Sequence, residues 1–269
     1  MNVTTHKGTA LVTGASSGIG AVYADRLARR GYGLILVARN RERLDQLASR
    51  LTDATRRSIE VVAADLCSKA DVRRVEEVLR TDSSITMLVN NAGVGGAGPL
   101  LVSDPDKMEA MIDLNVTALT RLTYAIASKF VERGTGTIVN IASMVAVAPE
   151  VLNGVYGGTK AFVLAFTQSL HHELLDKGVR AQAVLPGATR TDFWDVAGHP
   201  VENLPESIVM SADDLVDAAL AGLDQGELAT VPSLPDVADW NAFESARAAL
   251  RPNLSSSKPA ARYGVRTAA

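Results

Sequence analysis

Short runs of β-branched and aliphatic residues alternate with longer stretches in which apolar positions recur every three or four residues. The runs are TALVT at 9–13, GLILVA at 33–38, IEVVAA at 59–64, TMLVNN at 86–91, GTIVNIA at 136–142, VRAQAVL at 179–185 and LATVP at 228–232. Near-continuous apolarity, in place of strict apolar–polar alternation, marks strands buried on both faces of a parallel sheet. The stretches at 18–30, 40–55, 69–81, 104–133, 153–177, 212–225 and 236–250 read as helices. Gly31 follows the first and Arg251-Pro252 the last, both as helix stops. Strand–helix alternation repeated this often predicts a doubly wound α/β sheet with right-handed crossovers. One domain is expected over 1–251. The polar, Pro/Ser-rich stretch 252–269 reads as a mobile tail or one docked on a partner subunit.

Composition narrows the classes. The chain has 269 residues, 47% of them hydrophobic, enough for one sizeable core. Net charge is −3 with no basic stripe, which argues against a nucleic-acid partner. No apolar run approaches the ~18 residues of a membrane span. The start, MNVTTHKGTALVTG, lacks the charged, apolar and small-residue regions of a signal peptide. Cys67 is the single cysteine, so no disulfide forms within one chain, and no Cys/His cluster has metal spacing. Cytoplasmic localisation and no metal are therefore expected. Cys67 itself reads as a small buried apolar residue.

The chemistry begins after the first strand. TGASSGIG at 13–20 places Gly14, Gly18 and Gly20 between a strand and a helix, with Ser16, Ser17 and Ile19 in the same turn. Glycines there permit a tight turn, close approach to a pyrophosphate and close packing of helix on strand. The helix N-terminus then offers free N–H groups and a positive dipole end. The second strand ends at Ala38-Arg39, where an acidic residue would select a ribose 2′-hydroxyl. This chain has Arg39, Asn40 and Arg41 instead. A guanidinium matches phosphate, which indicates NADP(H); the plain alternative is a solvated arginine opening a helix. Asp65-Leu66 closes the third strand, either to meet the adenine amino group or to cap the next helix. Asn90, Asn91, Ala92 and Gly93 close the fourth, either to let the cofactor cross or to tie strands together.

Tyr156 and Lys160 stand four residues apart on one helical face, thirteen residues after Ser143. An ammonium beside a phenol is expected to lower the phenol pKa from roughly 10, making a usable proton donor and acceptor. Ser143 could hold a carbonyl or alcohol oxygen. His171-His172 also draws the eye, but adjacent helical residues diverge by ~100° and cannot both face one site.

These motifs, with Asn115 in DLNVT, YGGTK at 156–160 and PGATRT at 186–191, are similar in order and spacing to those of the short-chain dehydrogenase/reductase family, from residue 8 to about 231. The resemblance implies a Rossmann-like sheet of about seven parallel strands flanked by helices, and a hydride transfer between NADP(H) and a carbonyl or secondary alcohol. It implies Tyr156 as proton donor, Ser143 as the group orienting the oxygen, and Lys160 holding the nicotinamide ribose. It implies Asn115, mid-helix, holding a water that links Lys160 to solvent. Pro186, Gly187, Thr189 and Thr191 would contact the nicotinamide end. The lining expected from 93–100, 144–152 and 192–210 includes Val94, Val145, Phe193 and Trp194 and favours a neutral, rather apolar substrate; Phe193 and Trp194 either line the pocket or cap a hydrophobic seam. Two other functions on this scaffold are a non-catalytic NADP(H)-binding sensor, which would need none of Ser143, Tyr156 and Lys160, and an epimerase or dehydratase. The family also implies a homodimer or homotetramer packed through the long helices at 104–133 and 153–177.

Overall fold

Each apolar run becomes a strand in the computed structural model, which describes residues 7–96, 98–196 and 200–265. Residues 1–6, Ala97, 197–199 and 266–269 lie outside the described residues, and with them parts of the expected substrate lining and tail. The elements of the first unit, Met1–Pro232, run β1 (Thr9–Thr13), α1 (Gly18–Arg29), β2 (Gly33–Ala38), α2 (Arg41–Thr55), β3 (Ile59–Ala63), α3 (Lys69–Thr81), β4 (Ile85–Asn90), α4 (Pro105–Ile112), α5 (Leu119–Arg133), β5 (Gly136–Ile141), α6 (Gly154–Leu174), β6 (Val179–Val184), β7 (Thr189–Arg190), α7 (Phe193–Val196), β8 (Met210–Ser211), α8 (Ala212–Gln225) and β9 (Ala229–Thr230).

Seven strands pair in the order β3-β2-β1-β4-β5-β6-β9, all parallel. Successive side chains on a strand point to opposite faces. Ala10 and Val12 of β1, with Leu34 and Leu36 of β2, pack under Tyr23, Leu27, Leu44 and Leu220 of α1, α2 and α8. Leu11, Ile35 and Val37 pack on the other face against Val75, Leu79, Ile126 and Phe130 of α3 and α5. This two-sided burial is why the strands read as continuous apolar runs.

A parallel sheet puts the C-terminal ends of its strands on one edge. Chain order reverses between β1 and β4, which opens a crevice there. A buried amide ladder stiffens the edge: Asn90 Nδ2 donates to Asn140 Oδ1 at 2.9 Å and to Thr123 Oγ1 at 3.1 Å, and Asn140 Nδ2 donates to Thr167 Oγ1 at 2.9 Å. Asn90 thus ties strands and helices together.

Three local features depart from the sequence pattern. The single helix expected at 104–133 is broken by a wider π-turn over Asp113–Ala118, between α4 and α5. The short pair β7–β8 forms a second parallel sheet that no apolar run announced. Cys67, expected to be buried, is exposed, because it lies in the turn after β3. Among the described residues no helix is long and apolar enough to cross a membrane, and no His/Cys/Asp/Glu group could hold a metal.

The second unit, Ser233–Ala269, holds α9 (Val237–Ala249), the helix expected at 236–250. Asp236 caps it, accepting from Ala238 N at 2.8 Å, and none of its residues is buried. Short 3-10 turns follow at Arg251–Asn253 and Ala261–Tyr263, within the stretch read as a tail.

Candidate active site

The glycine turn is shaped by contacts that exclude larger side chains. Gly14 has φ +65, and a Cβ there would stand 2.8 Å from Asn91 Nδ2; a Cβ on Gly20 would collide with the Gly14 carbonyl oxygen. Asn91 Nδ2 donates to Thr13 O at 2.9 Å and to Gly14 O at 3.2 Å, so Asn91 braces the turn. Thr13 Oγ1 accepts from the backbone N–H groups of Asn91 and Ala92, both at 3.0 Å. Ser17 is the N-cap residue of α1, yet its side chain makes no capping bond. The first N–H groups of α1 are therefore left without a side-chain cap, the arrangement that can receive a phosphate. Ser16 and Ile19 lie within this turn, partly exposed.

At the end of β2, Arg39 is exposed and makes no ion pair among the described residues. Asn40 Oδ1 accepts from Arg43 N at 3.0 Å and caps α2. Arg41 is held by Asp45 at 3.2 Å. Arg43 reaches across to Asp192 at 3.2 Å, a contact that the motif pattern missed. Asp65 does not cap α3; that place belongs to Ser68. Asp65 Oδ1 accepts from Cys67 N at 3.0 Å and closes the turn after β3, with Leu66 buried beneath.

Tyr156 and Lys160 lie in the first two turns of α6, facing Ser143 just past β5. Both side chains are almost wholly buried. Ser143 stands close enough to Tyr156 to pull its pKa down, and its Oγ donates to Pro186 O at 3.4 Å. Lys160 Nζ donates to Ile141 O at 2.8 Å and stands 5.8 Å from the centre of the Tyr156 ring. Burial pushes the Tyr156 phenol up to about 12, against a downward pull from Ser143, and pushes the Lys160 ammonium down to about 8. The expected lowering of the Tyr156 pKa by Lys160 is thus reversed. Desolvation is the dominant cause at Tyr156, and the same desolvation shifts Lys160 toward its neutral form, which cannot favour a phenolate.

Asn115 sits in the π-turn and is buried. Its Nδ2 donates to Val94 O at 2.9 Å and to Thr159 Oγ1 at 3.1 Å, and its Oδ1 accepts from Val94 N at 3.0 Å. It therefore pins Val94, next to Gly93, to the helix that carries Tyr156. π-turns inside helices are frequent at functional sites because they re-aim a side chain.

Above Tyr156 is an apolar cluster of Met111, Val145, Val94, Met108, Met144, Leu152, Val155 and Phe193. Phe193 packs on the Tyr156 ring at 5.8 Å, and a Cβ on Gly95 would collide with it. Trp194 instead turns inward: it is buried, with Nε1 donating to Thr189 O at 2.9 Å. Phe193 faces the pocket and Trp194 caps the seam. Thr189 Oγ1 donates to Gly187 O at 3.1 Å, and Thr191 lies over Gly18.

Sequence reasoning missed Asn153. Its Oδ1 accepts from Val155 N at 2.9 Å and Tyr156 N at 3.4 Å, capping α6; its Nδ2 donates to Gly98 O at 2.7 Å and Ser103 Oγ at 3.2 Å. An Asn immediately before a helix was the available signal. Met108 and Met111, from α4, carried none. His172 is exposed and His171 is half-buried on α6, away from this set.

A family model described as short chain dehydrogenase matches residues 8–200. The very-long-chain 3-oxoacyl-CoA reductase of Anas platyrhynchos is 33% identical over 208 residues, covering 76% of this chain and 67% of that protein. Human 17-beta-hydroxysteroid dehydrogenase type 3 is 34% identical over 215 residues, covering 78% of this chain and 66% of its own. Among solved structures, a short-chain dehydrogenase from Sphingobium yanoikuyae in complex with NADPH matches with a TM-score of 0.93 at 50% identity, over 95% of this chain and 99% of that one. The bulky-bulky ketone specific alcohol dehydrogenase from Comamonas testosteroni matches with a TM-score of 0.89 at 47% identity, over 96% and 99%.

Proposed function

Because this chain belongs to the short-chain dehydrogenase/reductase family of oxidoreductases, we propose that it reduces a neutral, apolar ketone or aldehyde with NADPH, or oxidises the matching secondary alcohol with NADP+. One observation carries this reading. Tyr156 stands beside Ser143 against an apolar cluster, and Lys160 stands behind them, held on Ile141 O at the end of β5 and close to Gly93.

The residues fit the dinucleotide. The glycine turn and the uncapped start of α1 take the pyrophosphate. Arg39, exposed and without an ion pair among the described residues, would take the 2′-phosphate, and no Asp or Glu at 38–41 opposes it. Arg41 would add positive charge at the rim, and Asp65 and Leu66 would border the adenine. Asn91, Ala92 and Gly93 form the crevice wall, and Pro186, Gly187, Thr189 and Thr191 form its nicotinamide end.

When bound, NADPH supplies the hydride to the carbonyl carbon. Tyr156 donates its proton to the carbonyl oxygen, and a phenol held near pKa 12 is fully protonated for that task at neutral pH. Ser143 holds the same oxygen by a hydrogen bond and sets its angle. Lys160, with a pKa near 8, is close enough to neutral pH to pass a proton toward Tyr156 after turnover. Asn115 keeps Val94 and the Tyr156 helix in register. Val94, Val145 and Phe193 exclude water from the reacting carbon, and Trp194 buttresses the loop that carries Phe193. Retention of Ser143, Tyr156 and Lys160 in one contact set supports catalysis over a sensor role. The sulfur- and hydrocarbon-lined pocket favours apolar substrates, in line with the ketone named for the Comamonas relative.

The working form is a homodimer or homotetramer in a reducing cytoplasm. In support of assembly, Tyr124 of α5 and Phe162 and Phe166 of α6 stack in a row at 6.4 and 5.6 Å, with Tyr124 72% exposed. The test is NADPH and NADH oxidation at 340 nm across a carbonyl panel, with Tyr156→Phe as control. Tyr156→Phe keeps the ring and removes the proton, so kcat falls at least ~10²-fold with NADPH affinity unchanged. A variant retaining half the rate overturns the assignment.

A further inference from the structure

The reaction outlined above leaves the C-terminal unit without a role. α9 has 13 residues and buries none of them. A helix this short is marginal in water and is ordinarily held by packing along one face. Trp240, Phe243 and Leu250 recur at helical spacing, with Leu254 following. Phe243, Leu250 and Leu254 are 44, 58 and 72% exposed. Trp240 packs on Phe243 at 5.4 Å. The charge is one-sided as well. Residues 251–269 carry four Lys and Arg and no acid, whereas residues 1–250 hold all 30 acids against 23 Lys and Arg.

The mouth of the substrate pocket presents the complement. Leu100, Leu101 and Val102 are 81, 95 and 77% exposed. Their loop is tied to the start of α6 through Asn153, which holds Gly98 O and Ser103. Exposed Asp104, Asp106 and Glu150 flank it, and Lys107 is the one base between 91 and 113. Three consecutive large apolar side chains left in water beside a catalytic pocket mark a surface built to be covered.

We propose that the C-terminal arm of one subunit, residues 237–265, lies across the pocket mouth of a second copy. Trp240, Phe243 and Leu250 cover Leu100–Val102, and Arg251, Lys258 and Arg262 face Asp104, Asp106 and Glu150. A second copy brings both complements in equal number, and two-fold symmetry lets each arm serve the other's mouth. This rests on the reading of the Met108–Phe193 cluster as the carbonyl pocket, and it makes a closed pocket a property of the assembly.

The test needs no turnover, so it stands apart from the proposed reaction. In a Cys67→Ser background, Val102→Cys is placed in a chain with a long tag and Leu250→Cys in a chain with a short one. The two are co-expressed and treated with a short bismaleimide. The expected product is a covalent heterodimer of the two tagged chains. Its yield falls severalfold with Lys258→Glu/Arg262→Glu and recovers when Glu150→Lys is added to the other chain. The proposal is overturned if no heterodimer forms, if a chain carrying both cysteines joins only to itself, or if charge reversal leaves the yield unchanged.

Discussion

Lys160→Met should stabilise the fold at neutral pH while abolishing catalysis. Lys160 is buried and, among the described residues, has one hydrogen bond, to Ile141 O. Its descent from the ordinary 10.5 to about 8 measures what burial charges the ammonium. At 1.36 kcal/mol per pH unit this is about 3 kcal/mol. Methionine fills a similar volume without charge, but loses that bond at a cost of about 1 kcal/mol. The net gain is about 2 kcal/mol, a rise in Tm of about 4–8 °C for a protein of this size. The sign follows from linkage. Below about pH 8 both native and unfolded chains hold the lysine proton, and the whole burial cost is present. Between about 8 and 10.5 the native lysine releases its proton first, so the wild-type chain gains stability relative to the variant as pH rises. Above 10.5 the advantage of the variant is gone. The raised Tyr156 pKa acts at still higher pH and is common to both proteins. Urea unfolding of both proteins at pH 7, 9 and 10.5 measures the gap. A variant less stable than wild type at pH 7, or a gap that does not close with pH, refutes desolvation as the source of the Lys160 shift.

Arg39→Asp should remove a preference for NADPH over NADH of roughly 30- to 150-fold in kcat/KM, the value of about 2–3 kcal/mol from charge-assisted bonds to phosphate; an unchanged cofactor ratio contradicts the reading of β2. Asn153→Ala strips the α6 cap, about 1 kcal/mol, and leaves Gly98 O without its donor, about 1–3 kcal/mol. Differential scanning calorimetry should show a lower Tm, and KM should rise more than kcat falls. The exposed Arg43–Asp192 pair, 3.2 Å long, should give a coupling of only about 0.2–1 kcal/mol in a double-mutant cycle, with NADP(H) release faster in either single alanine variant by stopped-flow fluorescence.

The layered fold was readable in the order of residues because each cause is local. Strands buried on both sides need apolar residues at every position, and β2, GLILVA, is buried throughout. The glycine turn was readable because close backbone approach at Gly14 and Gly20 admits nothing larger. Tyr156 and Lys160 were readable as a pair because a four-residue step on a helix is a fixed distance. What tertiary structure decided depends on neighbours distant in the chain. The π-turn at Asn115 exists to reach Val94 and Thr159, 21 and 44 residues away. The second half of Asn153's role is a contact with Gly98, 55 residues earlier. Cys67 is exposed because of where a turn falls, which composition does not report. The Tyr156 pKa moved opposite to expectation for the same reason. Sequence spacing places an ammonium near a phenol, but the medium around both is set by residues distant in the chain, such as Ile141 and Phe193, and in that medium burial is the dominant cause of both shifts.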